Sequence, residues 1–447
     1  MSGRPNAAFL LEDSKVVRTM FNDPREILKE GQSLLTYKEA LAWLYGLQRF
    51  GIKLGLENIE RLLDELCSGV CVKRPALASI PKVIHVAGTN GKGSVCAMMD
   101  SICRAQGHRT GLFTSPHLVT FRERIRVSGE MISEEAVAKG LTTIRNLVAN
   151  WNPHPTFFEV VTALALEHFA DAKVEIVILE TGLGGRLDAT NAIQSDVSVI
   201  TPIDFDHEKW LGKTIFQIAA EKAGIIKPAV PVVSAAQRPA AGKVIRARAT
   251  ECQAPLEFVT KPYETPIALP GSYQKQNASL AIAALRAAKI DIADSRIAQG
   301  LGSIEWPARF QMWDSRTIID GAHNPAAARV LAETWRDVFG DQRATLILAI
   351  LSDKNLRGIC QALAPITDSV LLPKIRSERA ADAAQLAHTF LSITPPLPYS
   401  ITSSVDEALM LACRKPNPIL IAGSLHFAGE VLAHLRGEPA AFEECAQ

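Results

Sequence analysis

The segment His85–Val95 reads HVAGTNGKGSV and sets three glycines (Gly88, Gly91, Gly93) around Thr89, Asn90 and Lys92, with Ser94 just beyond. Glycine lets a backbone take left-handed dihedrals and approach a ligand closely. Successive N–H groups at the start of a helix then form an anion cradle, and Lys92 adds a point charge suited to terminal phosphates. The strict pattern G-x-x-x-x-G-K-[ST] fails at both ends. Val86 stands where its first glycine belongs, and Gly93 where its Mg2+-binding hydroxyl belongs. A tight strand-to-helix turn would use the same residues, so the loop by itself leaves both readings open.

Three further clusters carry groups that could act with such a loop. TSPHLVTFRERIRVSG places Ser115 after a short apolar run, where ligands of open α/β sheets gather, and adds Arg122, Arg124 and Arg126 as local positive charge or as a solvated edge. VEIVILETGLGGRLDATN is an aliphatic run ending in Glu180, with Asp188 beyond. An acid at a strand end suits Mg2+, which takes one or two carboxylates plus phosphates; an ion-paired or helix-capping acid is the alternative. VSVITPIDFDHEKWLG brings Asp204, Asp206 and His207 after another strand; a lone histidine is more often structural, but one beside acids is a metal-ligand candidate. Lys222, in AAEKAGI, reads by itself as a surface residue of a helix.

These groups need elements to hold them. Helical spacing runs from Tyr37 to about Cys67, broken by Gly51 and Gly55. From Lys82 the pattern changes to short apolar runs (82–86, 110–113, 174–179, 197–203, 230–233) separated by helical segments such as 95–105, 134–150 and 160–170. A second series follows, with strands expected at 317–319, 345–350, 369–372 and 418–422 and helices at 326–339, 356–363, 381–390 and 405–411. Such alternation predicts an α/β protein with mainly parallel sheets. The expected architecture is a P-loop-type domain at 36–302, a linker at 303–311 and a smaller Rossmann-like α/β domain at 312–440, after an N-terminal extension at 1–35.

Bulk properties narrow the function. Lys and Arg total 48 against 47 Asp and Glu in 447 residues, a balance that argues against a general nucleic-acid partner. The first residues lack a secretory pattern, and no run approaches the ~20 apolar residues of a membrane helix. Eight cysteines (67, 71, 96, 103, 252, 360, 413, 445) are scattered without a C-x-x-C pair, as in a reduced cytoplasmic protein with buried thiols; Cys67 and Cys71 read as packing residues.

The chain resembles the folylpolyglutamate synthase/dihydrofolate synthase family of the Mur ligase superfamily. The matching motifs are HVAGTNGKGS, TSPHL, RIRVSG, TFFE, LETGLGGRLDATN, DHEKWLG, EKAGI, GSYQKQNASLA, WPARFQ, IIDGAHNP and AGSLH, in the family's order. The resemblance implies that Thr89, Asn90, Gly91, Lys92, Gly93 and Ser94 hold the phosphates of ATP, with Asn277, Arg309 and Asp320 on the nucleotide. It implies Mg2+ at Ser115, Glu180 and His207, and a carbamylated Lys222. Thr156, Phe157, Phe158, Glu159, Leu187, Asp188 and Ala189 would line the pterin pocket. His323 and Ser424 fall where glutamate is expected, His323 in the catalytic part. One departure is LQRFGIKLGLEN (47–58), shorter than the loop some relatives use for dihydropteroate.

The implied reaction is ATP-dependent ligation of L-glutamate to dihydropteroate, to a reduced folate, or to both, through an acyl phosphate, by a cytoplasmic monomer. Three other readings remain: a peptidoglycan-type Mur ligase, for which little chain precedes the loop; a phosphotransferase or GTPase, which leaves the second domain unexplained; and a non-catalytic nucleotide binder.

Overall fold

A run of aliphatic residues with no polar alternation must be buried on both faces, as a parallel strand flanked by helices is. The computed structural model, which describes residues 33–51, 55–68 and 82–443, arranges such runs into two sheets. Most of the expected N-terminal extension and the Cys67/Cys71 pair of side chains lie outside the described residues.

The first sheet contains β1 (Lys82–Ala87), β2 (Thr110–Phe113), β3 (Ile125–Val127), β4 (Glu130–Met131), β5 (Ile176–Glu180), β6 (Val197–Ile200), β7 (Val232–Ala235) and β8 (Leu256–Val259), in the order β4-β3-β2-β5-β1-β6-β7-β8. Six strands run parallel; β3 and β4 form an antiparallel edge. The second contains β9 (Gln311–Met312), β10 (Thr317–Ile319), β11 (Ala344–Leu348), β12 (Thr367–Pro373), β13 (Tyr399–Thr402) and β14 (Ile419–Ala422), in the order β13-β12-β11-β14-β10-β9, parallel except for β9. Ile304 packs in the first sheet's core and Ala308 and Phe310 in those of the second, so the chain crosses between them at 305–307.

The helix Lys92–Gln106 starts at Gly91 and ends at Gly107, both left-handed. It is buried from Gly93 to Cys103, because it lies under the sheet and against the helices Ser272–Ala287 and Asp294–Gly302. A Cβ at Gly300 would stand 2.6 Å from Ile102 Cα, so only glycine permits that approach. Cys96, Cys103, Cys252 and Cys360 are buried free thiols and Cys413 is exposed.

The two halves also touch away from the linker. Leu118 and Val119, after β2, join the core of the second sheet, and a Cβ at Gly429 would overlap the Leu118 carbonyl oxygen. The Glu443 carboxylate accepts from Tyr37 Oη (3.0 Å) and Thr120 Oγ1 (3.1 Å).

Candidate active site

Carboxyl ends of parallel strands shed their chains into loops, and the crevice where strand order reverses is where ligands bind. Here the carboxyl ends of both sheets face one cleft of about 850 Å3. Every residue singled out above for the phosphate loop, metal and nucleotide lines it.

The glycine loop follows β1. Gly88 is fixed by Thr201: a Cβ there would overlap Thr201 Oγ1. Gly91 has φ +89° and opens the helix with no side-chain cap. The amides of Thr89 and Asn90 do not face the cleft; both donate to Pro202 O, at 3.0 and 3.2 Å. Thr89 Oγ1 donates to Asp204 O (3.0 Å), and Asn90 pairs with Asn324. The amides left for an anion are those of the first helical turn, Gly91 to Ser94, which have no intrahelical partner. Thr89 and Asn90 therefore shape the cradle more than they form it. Ser94 is buried, with Gln274 Nε2 at 3.4 Å, and Asn277 faces Gly91 across the gap.

Gly93 explains the broken phosphate-loop pattern. A Cβ there would stand 3.2 Å from Trp306 Nε1 and 3.5 Å from Glu180 Oε2, so a larger side chain would press on the indole and meet the acid. The acid takes that place instead. Glu180 ends β5 in register with Val86 of β1, which sets its carboxylate beside the loop. Its Oε2 accepts the Ser115 amide at 3.2 Å, and its Oε1 lies 3.9 Å from Lys92 Nζ. Burial raises its pKa, opposed by Lys92 and the Ser115 amide. A buried carboxylate so sparsely partnered fits a hard cation. His207 takes φ +51° and is pushed down to about 4, so at neutral pH its ring is uncharged, the form that can ligate a cation. Among the described residues no three His, Cys, Asp or Glu side chains gather as a metal set. A cation would rest on one carboxylate with neutral ligands and substrate phosphate.

Lys222 corrects the surface reading. It lies on the helix Ile215–Ala223, is 5% exposed and donates to Gly88 O at 2.7 Å. Burial, then the charge of Lys92, push its amine down to about 7. The arginine cluster is corrected too. Arg124 is fully buried and donates from Nε to His117 Nδ1 (2.9 Å), while Arg122 and Arg126 reach backbone carbonyls of their own edge. These arginines hold the edge together.

Several residues expected on a pterin have structural partners. Thr156 and Glu159 form a reciprocal capping box, with Thr156 N–H to Glu159 Oε2 at 2.7 Å. Phe157 is buried and stacks on Tyr45 at 5.7 Å. Asp188 accepts the amides of Gly182 and Leu183, both at 2.9 Å, and that of Thr190 at 3.1 Å, which staples the turn after β5. Phe158, close over Gly182, Leu187 and Ala189 line the cleft beside them.

The opposite wall comes from the second sheet. Asp320, after β10, accepts the amides of Phe310 (2.7 Å) and Ala322 (2.8 Å); burial raises its pKa and Arg309 opposes. Ser424, after β14, caps the helix Leu425–Leu435 by accepting Phe427 N–H at 3.0 Å, which leaves its hydroxyl proton to donate. His323 Nδ1 lies 2.8 Å from Gly321 O, and a carbonyl only accepts, so that nitrogen carries the proton. Its Nε2 faces Asp206 Oδ2 at 3.3 Å.

Sequence reasoning missed what Asp206 does. Lys354, after β11, reaches Asp206 Oδ1 at 2.6 Å, and Asn324 reaches Oδ2 at 3.4 Å while also donating to Asn90 Oδ1 at 2.9 Å. Three residues of the second half thus hold one buried carboxylate of the first. Burial alone would raise the Asp206 pKa, but His323, His207 and Lys354 outweigh it and hold the group well below its usual range. A lysine just after a buried parallel strand, in LSDKN, was the available signal.

The model of the Mur ligase middle domain matches residues 86–254, and that of the Mur ligase glutamate ligase domain matches 308–425. The dihydrofolate synthase/folylpolyglutamate synthase of Bacillus subtilis is 33% identical, over 90% of this chain and 99% of that protein. Mycobacterium tuberculosis folylpolyglutamate synthase, solved with ADP and AMPPCP, superposes with TM-score 0.80 at 32% identity, covering 90% of this chain and 99% of the other. The bifunctional enzyme of Yersinia pestis, solved with AMPPNP and Mn, gives 0.81 at 31% identity, covering 91% and 100%. With both halves matched and nearly the full length of these relatives spanned, the chain belongs to the folylpolyglutamate synthase/dihydrofolate synthase family of Mur ligases.

Proposed function

We propose that the protein joins the amine of L-glutamate to a folate-type carboxylate at the expense of ATP, releasing ADP and phosphate, as a monomer in the cytoplasm. Among the described residues no helix is long and apolar enough to cross a membrane. The observation that carries the reading is the sharing of one cleft: a glycine loop, Lys92 and the buried Glu180 on one wall face a matched glutamate ligase domain on the other.

A carboxylate oxygen of the acceptor attacks the γ-phosphorus of ATP and ADP leaves, giving an acyl phosphate. The amine of glutamate then attacks the acyl carbon, and phosphate leaves as the amide forms. The amides of Gly91 to Ser94 and Lys92 hold the phosphates and stabilise the charge that spreads over them in transfer. Asn277, Arg309 and Asp320 place the nucleotide. Phe158, Leu187 and Ala189 offer an apolar surface to the acceptor's rings, and Thr156, Phe157, Glu159 and Asp188 keep that surface in shape. Ser115, Glu180 and His207 would hold Mg2+, which supplies Lewis-acid neutralisation of phosphate charge. His323 and Ser424 stand on the amino-acid side. Closure of the walls excludes water from the acyl phosphate.

The amine of Lys222, pushed down to about 7, is the form that adds CO2 to give a carbamate. Lys222→Ala should lose activity and regain part of it with short carboxylates; no loss, or no rescue, removes the carbamate. For the whole reading, ADP release is measured with glutamate and either dihydropteroate or tetrahydrofolate alone. Stimulation by both makes the enzyme bifunctional, stimulation by one names its acceptor, and stimulation by neither ends the folate assignment.

A further inference from the structure

The tip of the β2–β3 hairpin carries Ser115 into the cleft, and it is built as one piece. At its base Phe113 pairs with Ile125, and Thr114 N–H donates to Arg124 O at 3.0 Å. The Glu123 carboxylate gathers the amides of Leu118 (2.9 Å), Val119 (3.0 Å) and Thr120 (3.1 Å). Arg124 Nε reaches His117 Nδ1 at 2.9 Å. A tip stapled in this way keeps its shape, so what remains to be fixed is how it leans on its base. Beyond β3 the sheet continues only through the two-residue β4, which offers little resistance. On the cleft side the Ser115 amide meets Glu180 Oε2 at 3.2 Å.

Outside the cleft the tip meets Glu443. That residue follows the helix Leu425–Leu435 and belongs to the second half, where its neighbour Phe442 is buried edge-on against His426, with ring centres 5.0 Å apart. Every polar atom of Glu443 is bonded, and each partner among the described residues lies in the first half. Its N–H donates to Val119 O at 2.8 Å. Its carbonyl accepts from His117 Nε2 at 3.0 Å, the nitrogen that holds the proton because Nδ1 accepts from Arg124. Its carboxylate accepts from the Phe121 amide, from Thr120 Oγ1 (3.1 Å) and from Tyr37 Oη (3.0 Å). All of these partners except Tyr37 lie on the tip, at 117–121.

We infer that Glu443 is a positioning residue: it clasps the tip of the hairpin so that Ser115 is held at the cation site beside Glu180. The inference rests on the ligase reading above, which gives Mg2+ to Ser115, Glu180 and His207. Mg2+ accepts little departure from octahedral geometry, so a tip free to lean would hold it poorly. Bonds to an ionised carboxylate are the strong ones, and Glu443 spends its carboxylate on the turn at Thr120–Phe121. A residue of the second half, outside the cleft, thereby sets a ligand on the first.

The test is the Mn2+ affinity of the full chain with AMPPNP, read beside hydrogen exchange of the amides at 114–121. Glu443→Ala should weaken Mn2+ binding about tenfold, the size of a lost bond to a charged group, and speed exchange at those amides. Glu443→Gln keeps an acceptor for the Phe121 amide and should fall between. Tyr37→Phe removes the bond that lies off the tip and should bind Mn2+ as the parent does; equal weakening there overturns the inference, because the effect then belongs to the helix at Tyr37. Parent-like Mn2+ affinity in Glu443→Ala also overturns it, even if the melting temperature falls, since that marks a merely structural contact. If Glu443→Ala fails to fold, Glu443→Gln decides by the same affinity. Ser115→Ala is the reference. If it leaves Mn2+ affinity unchanged, the cation assignment of the ligase reading fails and the inference with it; if it weakens Mn2+ while Glu443→Ala does not, the clasp alone is wrong.

Discussion

Both walls of the cleft are carboxyl ends of parallel sheets, yet they treat their buried charges differently. The wall of the first sheet leaves charge under-partnered. Glu180 has one amide and a lysine at 3.9 Å, and Lys222 has a carbonyl. The wall of the second sheet sends Lys354, His323 and Asn324 across to one carboxylate, Asp206. Unsatisfied buried groups cost stability and are kept where a ligand completes them. Satisfied ones across a boundary fix how two bodies sit. The first wall is prepared for substrate, and the second is prepared for closure.

This contrast can be broken or sharpened by substitution. The largest effect is expected at Lys92. Lys92→Ala should lower ligase turnover by ~10²–10³-fold, the scale of losing one charge-stabilising donor, with the melting temperature little altered. Near-normal turnover would remove the loop from the chemistry.

Lys354→Met comes next, as a stability effect. Breaking a buried pair from one side costs about 3–5 kcal/mol, because the remaining charge stays buried. Denaturant melts should show most of that loss, and the double variant with Asp206→Asn should lose less than the sum of the single ones. Additive losses would mean that the 2.6 Å contact does not couple the halves.

Lys222 gives a pH signature. Its pKa falls from 10.5 to about 7 on folding, so between those values the unfolded chain binds a proton that the native chain lacks. Stability at this site therefore rises with pH across that window, and the penalty is complete below about 7. Lys222→Met removes the term. In CO2-free buffer its stability advantage over the parent should shrink as pH is raised from 7 towards 10.5. A difference independent of pH would show that the lysine keeps its proton in the fold.

The smallest effect is at Thr156. Thr156→Ala should cost about 1 kcal/mol through the lost helix cap, with KM for the folate acceptor hardly moved. A large rise in KM without a change in stability would return Thr156 to the substrate.

What the sequence revealed follows from where structure is local. β2 lies at the residues expected, and β1 extends the expected run by one, because uniform aliphatic runs between turns have few alternatives. The edge strand β13, YSIT, is exposed and short and offers no such run. β3, inside FRERIRV, hid among charges. Glu180 was legible because an acid abruptly ends an aliphatic stretch. Arg124 was not: alternating charge reads as a wet edge, and nothing local says that its guanidinium is buried against His117. Asp206 and Lys354 are 148 residues apart, and their contact depends on how two domains dock, which no spacing encodes. Thr156 and Asp188 sit in signature motifs and line the cleft, and their bonds to backbone amides around it are not legible from the motifs.

The docking itself has a mechanical consequence. Among the described residues the halves meet along the chain at 305–307, after β2, where Leu118 approaches Gly429 and Thr120 bonds Glu443, and after β6, where the Asp206 cluster includes Asn324 bonded to Asn90. In the strand order these last two flank β1, which carries the glycine loop. Supports on both sides of the loop hold the halves without play; supports on one side alone leave an axis to swing on. Letting go of Asp206 and of the Asn90–Asn324 bond together would leave the supports after β2 and the chain at 305–307 as a hinge, and the cleft would open like a door on the side of the loop.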